Sequence, residues 1–254
     1  MTYTNSSLAT VKLLSPNHSG TRTHAIDTIT IHIAVAQWTA RRICEHFSKA
    51  SRGASCNYAI GYDGSIGLCV EEKNRSWCSS SSTNDQRAIT IEVASDTVKP
   101  YKITDKAYEA LINLCADICE RNNIEELKWK ADKSLIGQVD KQNMTVHRWF
   151  ATKSCPGDYL YNLHGDIAKR VNQKLNSAKA ENVQNIKSYK VKVICDSLNI
   201  RKTPKWANSD VVGAIKDRGT YTIVAETNIE GTKFGKLKSG KGWISLGSKY
   251  VKKV

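Results

Sequence analysis

The segment Asp27-Thr-Ile-Thr-Ile-His-Ile-Ala-Val35 constrains the fold more than any other part of this chain. It is rich in β-branched residues and alternates isoleucines with other side chains, which is typical of a β-strand. Ile29, Ile31 and Ile33 share one face of this strand, and His32 points to the opposite face. An apolar strand face of this kind must be covered, so we expect helices to pack on the sheet.

Other segments predict the remaining parts of an α/β domain. Residues 57–70 read as two short strands around an Asp63-Gly64 turn, and residues 87–93 read as a strand with Glu92 near its end. Residues 37–49 read as a helix. Apolar residues recur at helical spacing in residues 104–122, for which Thr104 is the expected N-cap, and in residues 156–175. The resulting prediction is a central mixed sheet covered by helices over residues 1–175.

The composition changes towards the C-terminus. Residues 176–188 are polar and weakly patterned, which predicts a linker, and residues 189–254 contain short strands around turns, which predicts a small all-β barrel. Residues 1–180 hold 23 Lys and Arg against 18 Asp and Glu, whereas residues 181–254 hold 15 against 6. A basic module of this kind favours an anionic partner such as nucleic acid, anionic lipid or a cell-wall polymer.

The sequence also bears on where the protein is made. No apolar run approaches the roughly 18 residues of a membrane span, and the first residues lack a basic region followed by an apolar one. We therefore expect a protein made in the cytoplasm without a signal peptide and without membrane insertion. The eight cysteines are expected to be reduced and scattered.

The segment Thr145–Pro156 carries the most informative chemistry. His147 and Cys155 lie eight residues apart, and an imidazole with a thiolate suits zinc, whose catalytic sites use three protein ligands. On its own this spacing is weak evidence, because it more often reflects a surface imidazole and a buried thiol. His32, held on a predicted strand, is the candidate for the third ligand.

Taken together, these segments resemble the zinc-dependent N-acetylmuramoyl-L-alanine amidases of the type 2 family, relatives of phage lysozyme-type amidases and peptidoglycan recognition proteins. The resemblance covers residues 24–175. It implies that His32, His147 and Cys155 bind Zn²⁺. It also implies hydrolysis of the amide bond between N-acetylmuramic acid and L-alanine.

The resemblance assigns roles to further residues. The hairpin Ser55–Ile66 resembles one with a tyrosine near the metal, here Tyr58, and residues 75–84 resemble a loop with a pocket tryptophan and asparagine, here Trp77 and Asn84. Glu92 matches a catalytic glutamate, expected to accept a proton from water. Lys153 matches a catalytic lysine, and it is expected to stabilise the oxyanion together with Tyr58.

The C-terminal segments Leu198–Pro204 and Gly242–Leu246 resemble a bacterial Src-homology-3-like cell-wall-binding domain. This second resemblance implies that residues 189–254 bind a cell-wall polymer, and that the substrate is peptidoglycan of the Gram-positive type. The expected setting is a phage or prophage endolysin released through a holin pore, or a bacterial autolysin.

Two other functions compete with a wall amidase. A catalytically silent peptidoglycan-binding protein would keep the fold, but such proteins typically lack the cysteine ligand, so Cys155 argues against it. A nucleic-acid-binding protein would explain the basic C-terminal charge but not the His and Cys pattern, so no nucleic-acid partner is expected.

Overall fold

The structure of the protein, a computed structural model, describes residues 3–181, 184–229 and 231–254. The chain divides into two compact units, residues 1–175 and 176–254. The strands of the first unit are β1 (Val11–Lys12), β2 (His18–Thr21), β3 (Thr28–Ile33), β4 (Tyr58–Ile60), β5 (Ile66–Leu68), β6 (Asn74–Ser76), β7 (Ala88–Val93) and β8 (Met144–Thr145). The α-helices are α1 (Ala40–Phe47), α2 (Ser82–Arg87), α3 (Asp105–Arg121) and α4 (Gly157–Glu181).

The first unit is built on a mixed sheet with the strand order β1-β5-β4-β7-β3-β8. Strand β3 runs parallel to β7 and to β8, and β4 runs parallel to β7 on its other side. Strands β4 and β5 form the predicted antiparallel hairpin, in which Gly64 turns the chain with a φ of 83°. The mixed sheet predicted from the strand patterns is confirmed.

One face of this sheet carries the main hydrophobic core. Ile29, Ile31 and Ile33 of β3 are buried there. Residues of α3 and α4 join the same cluster, because each helix presents an apolar stripe to the sheet. Helix α3 begins after Thr104, whose hydroxyl accepts a hydrogen bond from the backbone N–H of Ala107, as the capping pattern predicts. Helix α1 packs in a separate cluster with Ala59, on the other side of the sheet.

The second unit is all β. Its strands are β9 (Gln184–Val193), β10 (Leu198–Arg201), β11 (Val211–Ile215), β12 (Thr220–Ile229), β13 (Thr232–Leu237), β14 (Trp243–Ser245) and β15 (Val251–Lys253). They form one antiparallel sheet with the order β11-β10-β14-β13-β12-β9-β15. An α/β unit followed by a separate all-β unit is the predicted fold class.

Regular structure extends into the segment 176–188, for which the sequence predicts a linker. Helix α4 continues to Glu181, and β9 begins at Gln184; residues 182 and 183 of the predicted linker lie outside the described residues. The physical reason is that Ala, Lys and Glu are polar or small yet have high helix propensity, so weak hydrophobic patterning alone does not end a helix.

None of the helices in the described part of the chain has the length and apolar character needed to cross a membrane.

Candidate functional site

Three parallel strands bring polar side chains together at one edge of the sheet. His32 lies near the carboxyl end of β3, and Glu92 is its direct partner across the ladder to β7. Strand β8 pairs with β3 through Thr145, and His147 follows two residues later in a 3₁₀ turn. Because parallel strands end at the same edge of a sheet, three segments that are distant in sequence converge there.

His32, His147 and Cys155 form a compact set, called here the first triad. One ligand atom from each residue lies within 4.8 Å of the other two. The Cys155 sulfur is 3.5 Å from Nδ1 of His32, and the two imidazole rings are 5.1 Å apart between centroids. These distances are short enough for one ion to contact all three residues.

The chemistry of the first triad fits a zinc ion. Burial lowers the pKa of His32 to about 3, so its imidazole is neutral and able to act as a ligand. Nε2 of His32 is buried without a hydrogen-bond partner among the described residues. Burial raises the pKa of Cys155 to about 12, so its thiolate needs a cation beside it. Imidazole nitrogen and thiolate sulfur are both zinc ligands, and three protein ligands leave a fourth position open, as in catalytic zinc sites.

Glu92 lies beside the first triad and is suited to proton transfer. Burial raises its pKa to about 7, and the charge of Arg52 opposes that rise. A carboxyl group with a pKa near neutrality can accept and release a proton at physiological pH. Glu92 projects from the same face of the sheet as His32, because paired residues on adjacent strands share a face.

The loop before α2 contacts His147 of the first triad. The hydroxyl of Ser80, a residue with a φ of 64°, lies 3.0 Å from Nε2 of His147. The Asp85 carboxylate accepts the backbone N–H groups of Cys78 and Ser79 and so fixes the path of this loop. The serine-rich loop therefore has defined contacts with a predicted ligand.

Asn84 has a different place from the predicted substrate pocket. Its side chain is only 5% exposed. Its amide donates to the hydroxyls of Thr30 and Ser79 at 3.0 and 3.1 Å, and it accepts from Thr145 at 2.9 Å. Because its polar atoms are bound to protein partners, Asn84 supports the loop and two strands, and the predicted substrate contact is corrected.

Tyr58 lies away from the first triad, which corrects its predicted place beside the metal. In the ladder between β4 and β7, Ala59 pairs with Glu92, and Tyr58 pairs with Ile91. Tyr58 therefore projects from the opposite face of the sheet. Its hydroxyl donates to Glu72 at 2.6 Å and accepts the N–H of Ser6 at 2.7 Å. This tyrosine belongs to a buried polar network behind the sheet.

Lys153 and Trp77 are exposed residues that lie close in the chain to Cys155 and Cys78, respectively. Lys153 is exposed on the loop that carries Cys155. The pKa of His147 is lowered first by burial; the charge of Asp85 opposes this shift, and the Lys153 ammonium adds to it. Trp77 is 38% exposed, and its indole N–H donates to the Ser19 hydroxyl at 2.6 Å.

Cys78 is a site residue that sequence reasoning missed. Its sulfur, a nitrogen of His32 and a carboxylate oxygen of Glu92 all lie within 4.8 Å of one another. The signal available in the sequence was its place directly after Trp77. Among eight cysteines, however, that position did not distinguish Cys78 from core thiols.

Several solved structures are similar to part of this chain. Similar structures include a mutant endolysin from Bacillus subtilis (15% identity, 63% of this chain and 97% of that chain, TM-score 0.47). An AmpD derivative has 18% identity, with 66% and 99% of the two chains covered and a TM-score of 0.46. The Drosophila peptidoglycan recognition protein SA has 15% identity, with 60% and 88% covered and a TM-score of 0.44. No curated protein sequence matches the chain.

The family comparison is the decisive one. The sequence model of the N-acetylmuramoyl-L-alanine amidase family matches residues 22–158, which include all three residues of the first triad as well as Glu92. This match spans more than half of the 254 residues. The protein therefore belongs to the N-acetylmuramoyl-L-alanine amidase family.

Proposed function

We propose that the protein is a zinc-dependent peptidoglycan hydrolase that cleaves the amide bond between N-acetylmuramic acid and L-alanine. The proposal rests on one observation: the ligand atoms of His32, His147 and Cys155 lie close together beside Glu92, in a chain of the amidase family. Amide hydrolysis needs a polarised carbonyl, an activated water and a proton carrier, and this set of side chains is matched to those needs.

Each residue of the site has a separate role in the hydrolysis. When bound to the first triad, zinc supplies Lewis-acid polarisation of the substrate carbonyl and acidifies the attacking water. Glu92 accepts the proton of that water and passes it to the leaving nitrogen of L-alanine. Lys153, exposed on the loop of Cys155, stabilises the negative charge that develops on the carbonyl oxygen. Trp77, which precedes Cys78 in the chain, offers an exposed ring to the substrate.

The test is the identity of the bond that is cut. Gram-positive peptidoglycan digested with the protein should yield new free amino groups on L-alanine and no new reducing sugar ends, as read by mass spectrometry. His32→Ala should lose both bound zinc and turnover, because it removes a buried ligand. New reducing ends would overturn the proposed bond. Wall binding without new amino groups would favour the catalytically silent binding protein.

We propose further that the second unit binds an anionic cell-wall polymer. Residues 181–254 hold 15 basic against 6 acidic side chains. Trp206 is 49% exposed. Its ring centroid lies 5.4 Å from Phe234 and 6.3 Å from Tyr250, and the Arg201 guanidinium lies 4.8 Å from it. An exposed aromatic ring beside positive charge suits a polymer that carries sugars and phosphates.

The biological setting we propose is a phage or prophage endolysin, made in the bacterial cytoplasm and released through a holin pore. Its proposed substrate lies outside the membrane, so a protein made in the cytoplasm needs a route across it. The test is expression in a susceptible host. Cells that express the protein alone should not lyse. Cells should lyse once a holin is co-expressed or the membrane is permeabilised. Lysis without either treatment would contradict this route and favour an exported autolysin.

A further inference from the structure

Cys78 and Glu92 form, with His32, a second compact set of possible metal ligands. Their ligand atoms lie within 4.8 Å of one another, as do those of the first triad. His32 is common to both sets. The position of Cys78 is fixed, because its backbone N–H donates to the Asp85 carboxylate at 3.0 Å. Glu92 is fixed by the strand ladder, as the partner of His32. We call His32, Cys78 and Glu92 the second triad.

The second triad has the chemistry of a cation site. It combines an imidazole, a thiol and a carboxyl group, all of which are zinc ligands. Nε2 of His32 is buried and has no hydrogen-bond partner among the described residues. Within the same described part of the chain, no ion pair involves the Glu92 carboxylate, and its one cationic influence is the charge of Arg52. With thiolate and carboxylate together, the second triad neutralises a divalent ion fully, whereas the first triad supplies a single anionic ligand.

The two triads cannot share His32 freely. A neutral imidazole offers one lone pair, and binding two ions would require loss of its remaining N–H proton. Two divalent ions a few ångströms apart would also repel each other strongly in a partly buried site. We therefore expect each chain to bind one ion, which occupies either the first triad or the second.

We propose that His32, Cys78 and Glu92 form a second metal position that competes with the first triad for His32 and holds the enzyme in an inactive state. The proposal rests on the metal centre of the proposed function. An ion in this position is bound by Glu92, so the carboxylate can no longer accept a proton from water. Binding there releases the Cys78 thiol proton to solvent. The balance between the two positions would set the active fraction of the protein.

The experiment is a cadmium titration of the metal-free full chain, read by the ultraviolet charge-transfer band of thiolate bound to cadmium. Wild type should bind one ion. Cys155→Ala should still bind one ion and show the band, because Cys78 supplies the thiolate, but it should show no turnover when loaded with zinc. In Cys78→Ala/Cys155→Ala the band should vanish, and affinity should fall by more than about 100-fold, since even outer-shell changes cost up to that much.

Matched variants keep this test decisive. Cys195→Ala removes a partly exposed thiol that is outside both triads, and it should leave the titration unchanged. Cys155→Ser replaces Cys155→Ala if the alanine variant does not fold, and it is expected to behave in the same way. Loss of the ion in Cys155→Ala or Cys155→Ser, with binding retained in wild type, would overturn the second position alone. Absence of any ion in wild type would instead overturn the metal centre of the proposed function.

Discussion

Glu92 is the side chain on which turnover is expected to depend most directly. Burial holds its pKa near 7, and it faces the same side of the sheet as His32. Glu92→Gln keeps the shape of the side chain but removes the proton acceptor. We expect turnover to fall by about 10²–10⁴-fold, while the first triad keeps its metal. The measurement is release of L-alanine amino groups together with zinc content.

The control for this variant is Glu109→Gln on α3. Glu109 forms a largely exposed ion pair with Arg170, and removal of this ion pair should leave turnover unchanged. Equal turnover of wild type and Glu92→Gln would contradict the role given to Glu92 as proton carrier.

Tyr58 is expected to contribute to stability and not to catalysis. Its hydroxyl bridges the buried Glu72 carboxylate and the backbone of Ser6, and Arg121 pairs with that same carboxylate at 2.6 Å. Tyr58→Phe leaves these partners with one hydrogen bond fewer, so we expect a loss of about 1–3 kcal/mol in the free energy of unfolding. Urea unfolding measures this loss, and turnover well below the melting temperature should be unchanged.

Tyr62→Phe is the matched change at an exposed tyrosine, and it should alter neither quantity. A large drop in turnover for Tyr58→Phe, without a drop in stability, would restore the catalytic role predicted from the sequence. Tyr58 shows where sequence reasoning failed. Neighbouring residues of a strand point to opposite faces of the sheet, so Tyr58 and Ala59 lie on different faces. Only the register between β4 and β7 tells which of the two shares a face with Glu92.

Helix α4 contains a histidine whose burial makes folding pH-dependent. His164 is fully buried, its Nδ1–H donates to the Leu160 carbonyl at 2.7 Å, and its Nε2 has no partner among the described residues. Burial lowers its pKa to about 4, against about 6.5 in an unfolded chain. The unfolded state therefore binds the proton more readily, and stability is present above pH 6.5 and lost as pH falls towards 4.

The size of this effect is roughly 3 kcal/mol, from a pKa difference of about 2.5 units. His164→Gln should remove this part of the acid dependence, and urea unfolding between pH 7 and pH 4 measures the difference in slope. His24→Gln, at a largely exposed histidine, is the control and should keep the wild-type slope. Identical slopes for wild type and His164→Gln would contradict the buried, neutral state of His164.

The segment before α2 is held in place by side-chain hydrogen bonds. Its polar composition and run of serines indicate a loop, and its resemblance to the amidases implies that Trp77 and Asn84 line a pocket, but the sequence does not show which contacts hold the loop in place. In the structure Asp85 binds two backbone N–H groups, and Asn84 links the loop to Thr30 and Thr145. These hydrogen bonds place Cys78 within the second triad and Ser80 beside His147 of the first triad, because buried polar groups must find partners.

The two units of the chain are expected to separate catalysis from wall binding. A chain ending after Glu181 keeps α4 complete and retains every residue of both triads. We expect it to hydrolyse a soluble muramoyl peptide at the wild-type rate and to bind walls at least about tenfold more weakly, because the basic unit is gone. Wall pull-down at increasing salt measures the difference, and wild-type retention should weaken with salt.

Trp206→Ala tests the same surface in the full chain and should reduce wall binding without changing hydrolysis of the soluble peptide. Val212→Ala, at another exposed residue of the second unit, is the control and should bind as wild type. Wall binding that survives both the truncation and Trp206→Ala would contradict the anchoring role of the second unit.

The sequence by itself determined the fold class, the capped helix after Thr104, and the set His32, His147 and Cys155 as candidate ligands. Those inferences depend on local periodicity, on capping chemistry and on residue types that few other roles require together. The tertiary structure decided which side chains share a face and which converge. The removal of Tyr58 from the site, the burial of Asn84 and the approach of Cys78 to Glu92 all depend on strand register and loop hydrogen bonds. Contacts between segments distant in the chain leave no periodic signal in sequence.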